Sequence, residues 1–172
     1  ILSRYHIDPM EKLDMLMTRT DLFQEMTFNW QFRQLLHDTH FHHDIFTLPT
    51  IQALQHLNNH LVKYALRINM LDKVPTALYV DLLIVSMSIA NRININVIGS
   101  VCNHMVPADY SINEAVHDST KALEGWDHLE NISCKAVLTS SIATIAAHAL
   151  QVISRHGKNI ESELVMRWKD IE

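Results

Sequence analysis

Within LYVDLLIVSMSIANRININV, Leu78 to Val97, roughly sixteen residues form an almost unbroken apolar run, a pattern that predicts a helix buried on most of its sides. One carboxylate, Asp81, interrupts the run, which closes on Ala90-Asn91-Arg92. A buried aspartate is costly unless something pairs with it, so the fold has to supply a partner for Asp81.

Elsewhere apolar positions recur at helical spacing between recognisable start and stop signals. Asp8-Pro9 reads as an N-cap and first-turn proline opening a short helix to about Arg19. Asp21 and Gln24 resemble a capping box for a helix over about 22–37, with Leu22, Phe23, Met26, Trp30 and Leu35 facing inward. The segment HDTHFHHDIFTL, His37 to Leu48, reads as a polar, histidine-rich connection. Pro49 opens a long helix to about Leu71, Asp72 to Pro75 make a turn, and Pro75 opens the apolar helix. Asn94 to Asn96 break that helix, and a shorter one follows to about Met105. Ser111 and Glu114 predict a capping box for a helix to about Glu130. Another helix spans about Ser133 to Arg155 and stops at Gly157, and Asn159 caps a last one over 160–170. The expectation is an all-α antiparallel bundle of about eight helices.

Two stretches, 56–101 and 117–164, follow the same order of elements. Arg92 and Arg155, Asn96 and Asn159, and Val97 and Ile160 each stand 63 positions apart, while His56 and His117 give an offset nearer 61. Either two tandem helix-pair units stack as a pseudo-symmetric bundle, or the likeness is what any antiparallel bundle shows. The organisation expected is 1–48 as N-terminal helices and histidine-rich connection, 49–106 as a first unit, and 107–172 as a second, weaker repeat in the same bundle.

Composition agrees with a helical reading. The 172 residues contain only 3 Gly and 4 Pro, against usual frequencies of ~7% and ~5%, too few turn-formers for a sheet protein. A net charge of -5 gives no general attraction for nucleic acid or an anionic membrane. Asp81 and Arg92 interrupt the best candidate for a membrane span, which needs ~18 charge-free apolar residues. The N-terminal ILSRYHIDPM lacks the basic flank, apolar core and cleavage site of a secretory signal. Cys102 and Cys134 form no CxxC and read as ordinary thiols of a reducing compartment, so the expected location is cytoplasmic.

The 12 histidines matter through their clustering. In the helix from Pro49, His56, His60, Lys63 and Arg67 lie on one stripe, opposite Leu57, Leu61, Ala65 and Ile68. Asp81, Ser88 and Arg92 form the corresponding stripe of the next helix, and two helices joined by a short turn pack antiparallel, so the stripes can face each other. Two readings follow. In one, His56 and His60, at i and i+4, ligate a divalent metal (Mg, Mn or Zn) with Asp81 completing the shell. In the other, the stripe is a solvated face and Asp81 pairs with Lys63 or Arg67. Asp38, His40, His42, His43 and Asp44 form a second dense set of potential ligands, at a spacing wrong for a helix face. His117, Lys121, Glu124 and His128 read as the repeat's exposed counterpart of the first stripe. No nucleophile elbow, Gly-rich phosphate loop or zinc-finger spacing is present, so a phosphate would be held by side chains or a helix N-terminus.

The segment from Asp81 through Asn91-Arg-Ile-Asn-Ile-Asn resembles the third-helix signature of the MazG-like, all-α nucleoside triphosphate pyrophosphohydrolase superfamily. There a Glu-x-x-Asp pair leads into an apolar helix ending in Ala-Asn-x-Leu-Gly-Ile-Asp; Asp81 matches the Asp, and Asn91 follows ten residues later. The resemblance covers about 45 residues closely and the second unit faintly. It implies a helical bundle that binds a nucleotide or other phosphorylated small molecule, as a homodimer or as one chain imitating a dimer. The residues it points to are Asp81 as the catalytic carboxylate and Lys63, Arg67, Ser88, Asn91 and Arg92 as ligand contacts. The chain departs from the family where the metal chemistry lies. Asn58, Asn59 and Val62 stand in place of three glutamates, and Leu78 in place of the Glu of Glu-x-x-Asp. Those carboxylates hold Mg²⁺ in the family. The resemblance therefore leaves three outcomes: a binder that has lost hydrolysis, a pyrophosphohydrolase with a rebuilt metal site, or a non-catalytic interaction bundle.

Overall fold

The structure, a computed structural model, describes residues 29–97, 101, 111–128 and 133–172. Helix α1 covers 29–41 of these. It is followed by the single turn α2 (Asp44–Thr47) and then by α3 (Thr50–Met70), α4 (Thr76–Arg92), α5 (Ile112–Asp127), α6 (Cys134–Arg155) and α7 (Ile160–Asp170). No strand occurs among the described residues, so the chain is all-α.

Four helices form a ring in which α3 packs on α4, α4 on α6, α6 on α5 and α5 back on α3. The two most apolar helices, α4 and α6, form one side of this ring and each packs on further helices besides, α4 also on α3 and α7 and α6 also on α5 and α7, which is why both are apolar around much of their circumference. Leu82, Leu83, Met87 and Ile89 of α4 meet Leu138, Ile142, Ile145 and Ile153 of α6 in the fully buried core, with Leu54 and Leu61 from α3 and Leu164 from α7. Ser86 sits at the centre of this core because its hydroxyl donates to the Leu82 carbonyl one turn back, at 2.7 Å. Where α3 crosses α5, the buried Asn58 accepts from the Ser119 hydroxyl at 2.6 Å and donates to Thr120 Oγ1 at 2.8 Å, replacing apolar contact by a specific polar tie.

The turns that end α4 and α6 have one construction. The amides of Ile93, Asn94 and Ile95 bond to the carbonyls of Ile89, Asn91 and Ala90. Those of His156, Gly157 and Lys158 bond to Val152, Ser154 and Ile153 in the same order, 63 positions on. Each turn needs a left-handed residue, Asn94 at φ 55° and Gly157 at φ 66°, the residue types that enter that region most easily. After the second turn Asn159 caps α7, its side chain accepting from the Ser162 amide at 2.9 Å.

The predicted starts and ends of α3, α4, α6 and α7 hold. Ser111 does cap α5, but by accepting from Asn113 rather than through a reciprocal box with Glu114. The segment from His37 is not a loop: α1 runs through 41, and His37 and Asp38 are buried. Trp30 is buried as expected and Leu35 half-buried. The helix expected to end near Arg19, with Leu22, Phe23 and Met26, lies outside the described residues, as does Cys102 and most of the helix expected to end near Met105. One helix, Cys134–Arg155, does reach membrane-span length and hydropathy, which the sequence reading overlooked by looking only at the Asp81 helix; 56% of its most apolar window is buried inside the fold, where it serves as the core helix.

Candidate functional site

A cavity of about 180 Å³ opens where α1, α3, α4 and α7 converge. Ile45, Leu57, Ile84, Val85 and Ile171 supply its apolar walls. Asp38, His42, His56, His60, Tyr64, Asp81, Ser88 and Arg167 supply its polar ones. His56 is exposed at the mouth, whereas Asp38 and Ser88 are buried at the inner end.

The antiparallel pairing of α3 and α4 brings the two predicted stripes together in part. His56, His60, Asp81 and Ser88 share this cavity. Lys63 and Arg67 are exposed and do not line it, yet they flank it. Lys63 is close enough to help hold the His60 imidazole below its ordinary pKa, where burial is the main cause and His56 the next. Arg67 is close enough to oppose the burial that pushes the Tyr64 phenol up. Asn91 and Arg92 lie elsewhere and hold neighbouring segments in place. Asn91 exchanges hydrogen bonds with Gln31 of α1. Arg92 donates to the Leu48 carbonyl at 3.0 Å and stands 5.5 Å from the Phe46 ring.

The partner of Asp81 is neither Lys63 nor Arg67 but Arg167 of α7. Arg167 Nε lies 2.6 Å from Oδ1 and Nη2 lies 3.0 Å from Oδ2, a two-pronged pair that engages both carboxylate oxygens. The hydrogen bond to Asp81 raises the Arg167 pKa further above its already high value, so the guanidinium stays charged. Nothing in the local sequence marks this pair, since its members are 86 positions apart.

Asp38 has a different environment. Gln34, one turn earlier on α1, donates from Nε2 to Asp38 Oδ1 at 2.8 Å and to Ser88 Oγ at 3.2 Å. Gln34 is itself fixed, because its Oε1 accepts from the Trp168 indole at 2.6 Å, and the Arg33 guanidinium stacks 4.7 Å over the Trp168 ring. Among the described residues Asp38 has no salt-bridge partner. Burial pushes its carboxyl above the usual aspartate range, while the hydrogen bonds from Ser88 and Gln34 and the nearby His42 and His37 act the other way.

The ligand shell of His56, His60 and Asp81 is not assembled. Both oxygens of Asp81 are engaged by Arg167, and among the described residues no three His, Cys, Asp or Glu side chains stand close enough to hold one ion. The two imidazoles lie edge to face, with ring centroids 5.1 Å apart. Of the histidine-rich set, Asp38 and His42 line the cavity, because Gln34, Asp38 and His42 follow one another at four-residue steps along α1 and its end. That spacing was the available signal, hidden by reading the segment as a loop. The stripe of His117, Lys121, Glu124 and His128 is exposed as expected.

A second cavity, about 320 Å³, lies between α1 and the end of α4 and is lined by Gln31, Phe32, Leu35, Asn91, Asn94, Ile95 and Asn96. Gln31 is committed there to structure, donating to Asn91 and to the Ile95 carbonyl and accepting from the Val97 amide. Comparison with protein-family models, curated proteins and solved structures finds no match to this chain.

Proposed function

We propose that the chain is a divergent MazG-like helical protein whose cavity binds a nucleotide or other phosphorylated small molecule without the family's pyrophosphohydrolase chemistry. The observation that carries the reading is the cavity itself: imidazoles, a phenol, a hydroxyl and two carboxylates converge on one space, and two exposed cations, Lys63 and Arg67, flank it. The phosphate belongs at those exposed cations, since Arg167 is already neutralised by Asp81. The same pair argues against hydrolysis of the family type, because the carboxylate matched to the family's Asp is committed to a guanidinium.

Two further observations support the tandem-unit, pseudo-dimer part of the reading. The turns closing α4 and α6 repeat hydrogen bond for hydrogen bond at an offset of 63. Asn58 and Ser119, equivalent at the offset of 61 that His56 and His117 define, touch each other, as equivalent residues do beside a two-fold axis. In that arrangement Thr144 takes the place of Asp81, so the second unit keeps the scaffold and lacks the acid.

Thermal unfolding in the presence of nucleoside mono-, di- and triphosphates, with and without Mg²⁺, Mn²⁺ or Zn²⁺, tests the proposal. A ligand at 100 times its Kd stabilises the native state by about 2.7 kcal/mol and raises Tm accordingly. A rise with nucleotides and no release of pyrophosphate is the expected result. Pyrophosphate release that disappears in Asp81→Ala would instead establish the rebuilt hydrolase, and no shift with any ligand would leave the interaction bundle.

A further inference from the structure

Trp30, Arg33, Gln34 and His37 share one face of α1, and that face lies along α7. The first three each tie it there. The Trp30 indole donates to Glu161 at 3.4 Å, Arg33 pairs with the same carboxylate at 3.1 Å, and Gln34 accepts from the Trp168 indole at 2.6 Å. His37, next along the face, stands beside the backbone of Trp168 and makes no such tie. It is 8% exposed, and neither of its ring nitrogens has a hydrogen-bond partner among the described residues. The rings of Phe41 and His42 stand 4.9 Å and 5.5 Å from it.

A buried imidazole in that state is tolerated far better neutral than charged. The neutral ring already leaves one N–H unmatched, and protonation adds a second N–H and a positive charge. The titratable groups around it are Asp38 on α1, His42 just past its end, and Glu172 beyond α7. Burial holds the His37 pKa below its ordinary value and His42 adds to this, against Asp38, the Trp168 backbone and Glu172.

We propose that the junction of α1 with α7 is an acid-opened latch, in which a proton on His37 parts the end of α1 from the end of α7 so that water can reach the ring. Both helices lie outside the four-helix ring, so their ends part while the ring keeps its core. Gln34 and Asp38 line the inner end of the cavity, so the opening withdraws that wall from the site, whatever ligand it takes. The open form, with a hydrated imidazole, takes up the proton near the ordinary value of 6.5, and the closed form only at lower pH. Closure is therefore strongest above that value and weakens as pH falls through it, by up to about tenfold per pH unit until the closed form also takes the proton.

Amide hydrogen exchange read by mass spectrometry at pH 7.5 and pH 5.5, corrected for the intrinsic rate at each pH, tests the latch. In the wild type, protection of 34–41 and of 164–170 should fall several-fold on acidification, with that of α4 and α6 nearly unchanged. His37→Leu and His37→Gln cannot take up the proton and should lose the acid effect. His148→Gln, which removes another imidazole held down by burial, should keep it. Junction protection that is the same at both pH values, that falls together with α4 and α6, or that still falls in either His37 variant overturns the inference. None of these results bears on nucleotide binding, which the thermal shifts read separately.

Discussion

Asp81 and Asp38 line the same cavity, and both are buried, at 6% and 4% exposure. Asp81 lies in the apolar helix α4 and meets a guanidinium in a two-pronged pair. Asp38 lies in the polar helix α1 and, among the described residues, meets an amide, a hydroxyl and two imidazole neighbours. A carboxylate already matched by a fixed cation has its electrostatic need met within the fold, and its role is to tie α7 to α4. One matched only by neutral donors keeps part of that need for a ligand. The residue that looks anomalous in the sequence is therefore tied up within the fold, and Asp38, one of a cluster of potential ligands in the sequence, is the cavity carboxylate without a cation among the described residues.

The largest expected effect breaks the tie. Arg167→Met leaves Asp81 without its counter-charge; breaking a buried pair costs ~3–5 kcal/mol, and the 29% exposure of the Arg167 side chain puts this one at about 3 kcal/mol. Urea denaturation measures it, and a cost under about 1 kcal/mol would erase the contrast with Asp38. Next in size is Trp168→Phe, which removes the donor holding Gln34 Oε1. A buried acceptor left unmatched costs about 1–3 kcal/mol, and the loss should be accompanied by weaker ligand binding at Asp38.

Asp38→Asn should act in the opposite direction. Because the folded protein holds the Asp38 proton to a higher pH than the unfolded chain does, the wild type loses stability as pH rises from the ordinary aspartate range, near 3.8, through the raised folded value. The amide avoids this loss, so Asp38→Asn should raise Tm at pH 7 and differ little from wild type below the ordinary range. A lower Tm at pH 7 would show that the carboxylate is neutralised after all. The smallest effect on stability belongs to Lys63→Gln, within about 0.5 kcal/mol as for other exposed sites, yet it should weaken binding of a phosphorylated ligand several-fold. Unchanged binding would remove Lys63 from the rim of the site.

The bundle was legible where apolar periodicity and caps agree. Pro49, Pro75, Gly157 and Asn159 mark helix ends that the structure keeps, and the apolar runs of α4 and α6 mark the two core helices. Helix α1, expected to stop near 37, runs on to 41: Asp38, like Gln34 one turn earlier, turns a polar group toward a polar cavity rather than an apolar core, so the side chains there look like a surface. Arg167 was invisible for another reason. It is one of several charges on the polar helix α7, and only the docking of α7 against α4 selects it as the partner of Asp81.

The central claim is that the space between α1, α3, α4 and α7 is a ligand site. Methyl-resolved NMR during titration with nucleoside mono-, di- and triphosphates tests it directly, since Ile45, Leu57, Ile84, Val85 and Ile171 wall the cavity while Ile142 and Ile145 lie in the core. The account predicts saturable shifts of the wall methyls with the core pair nearly unmoved. Saturable shifts confined to Leu35 and Ile95 beside the second cavity, or none at all, would contradict it.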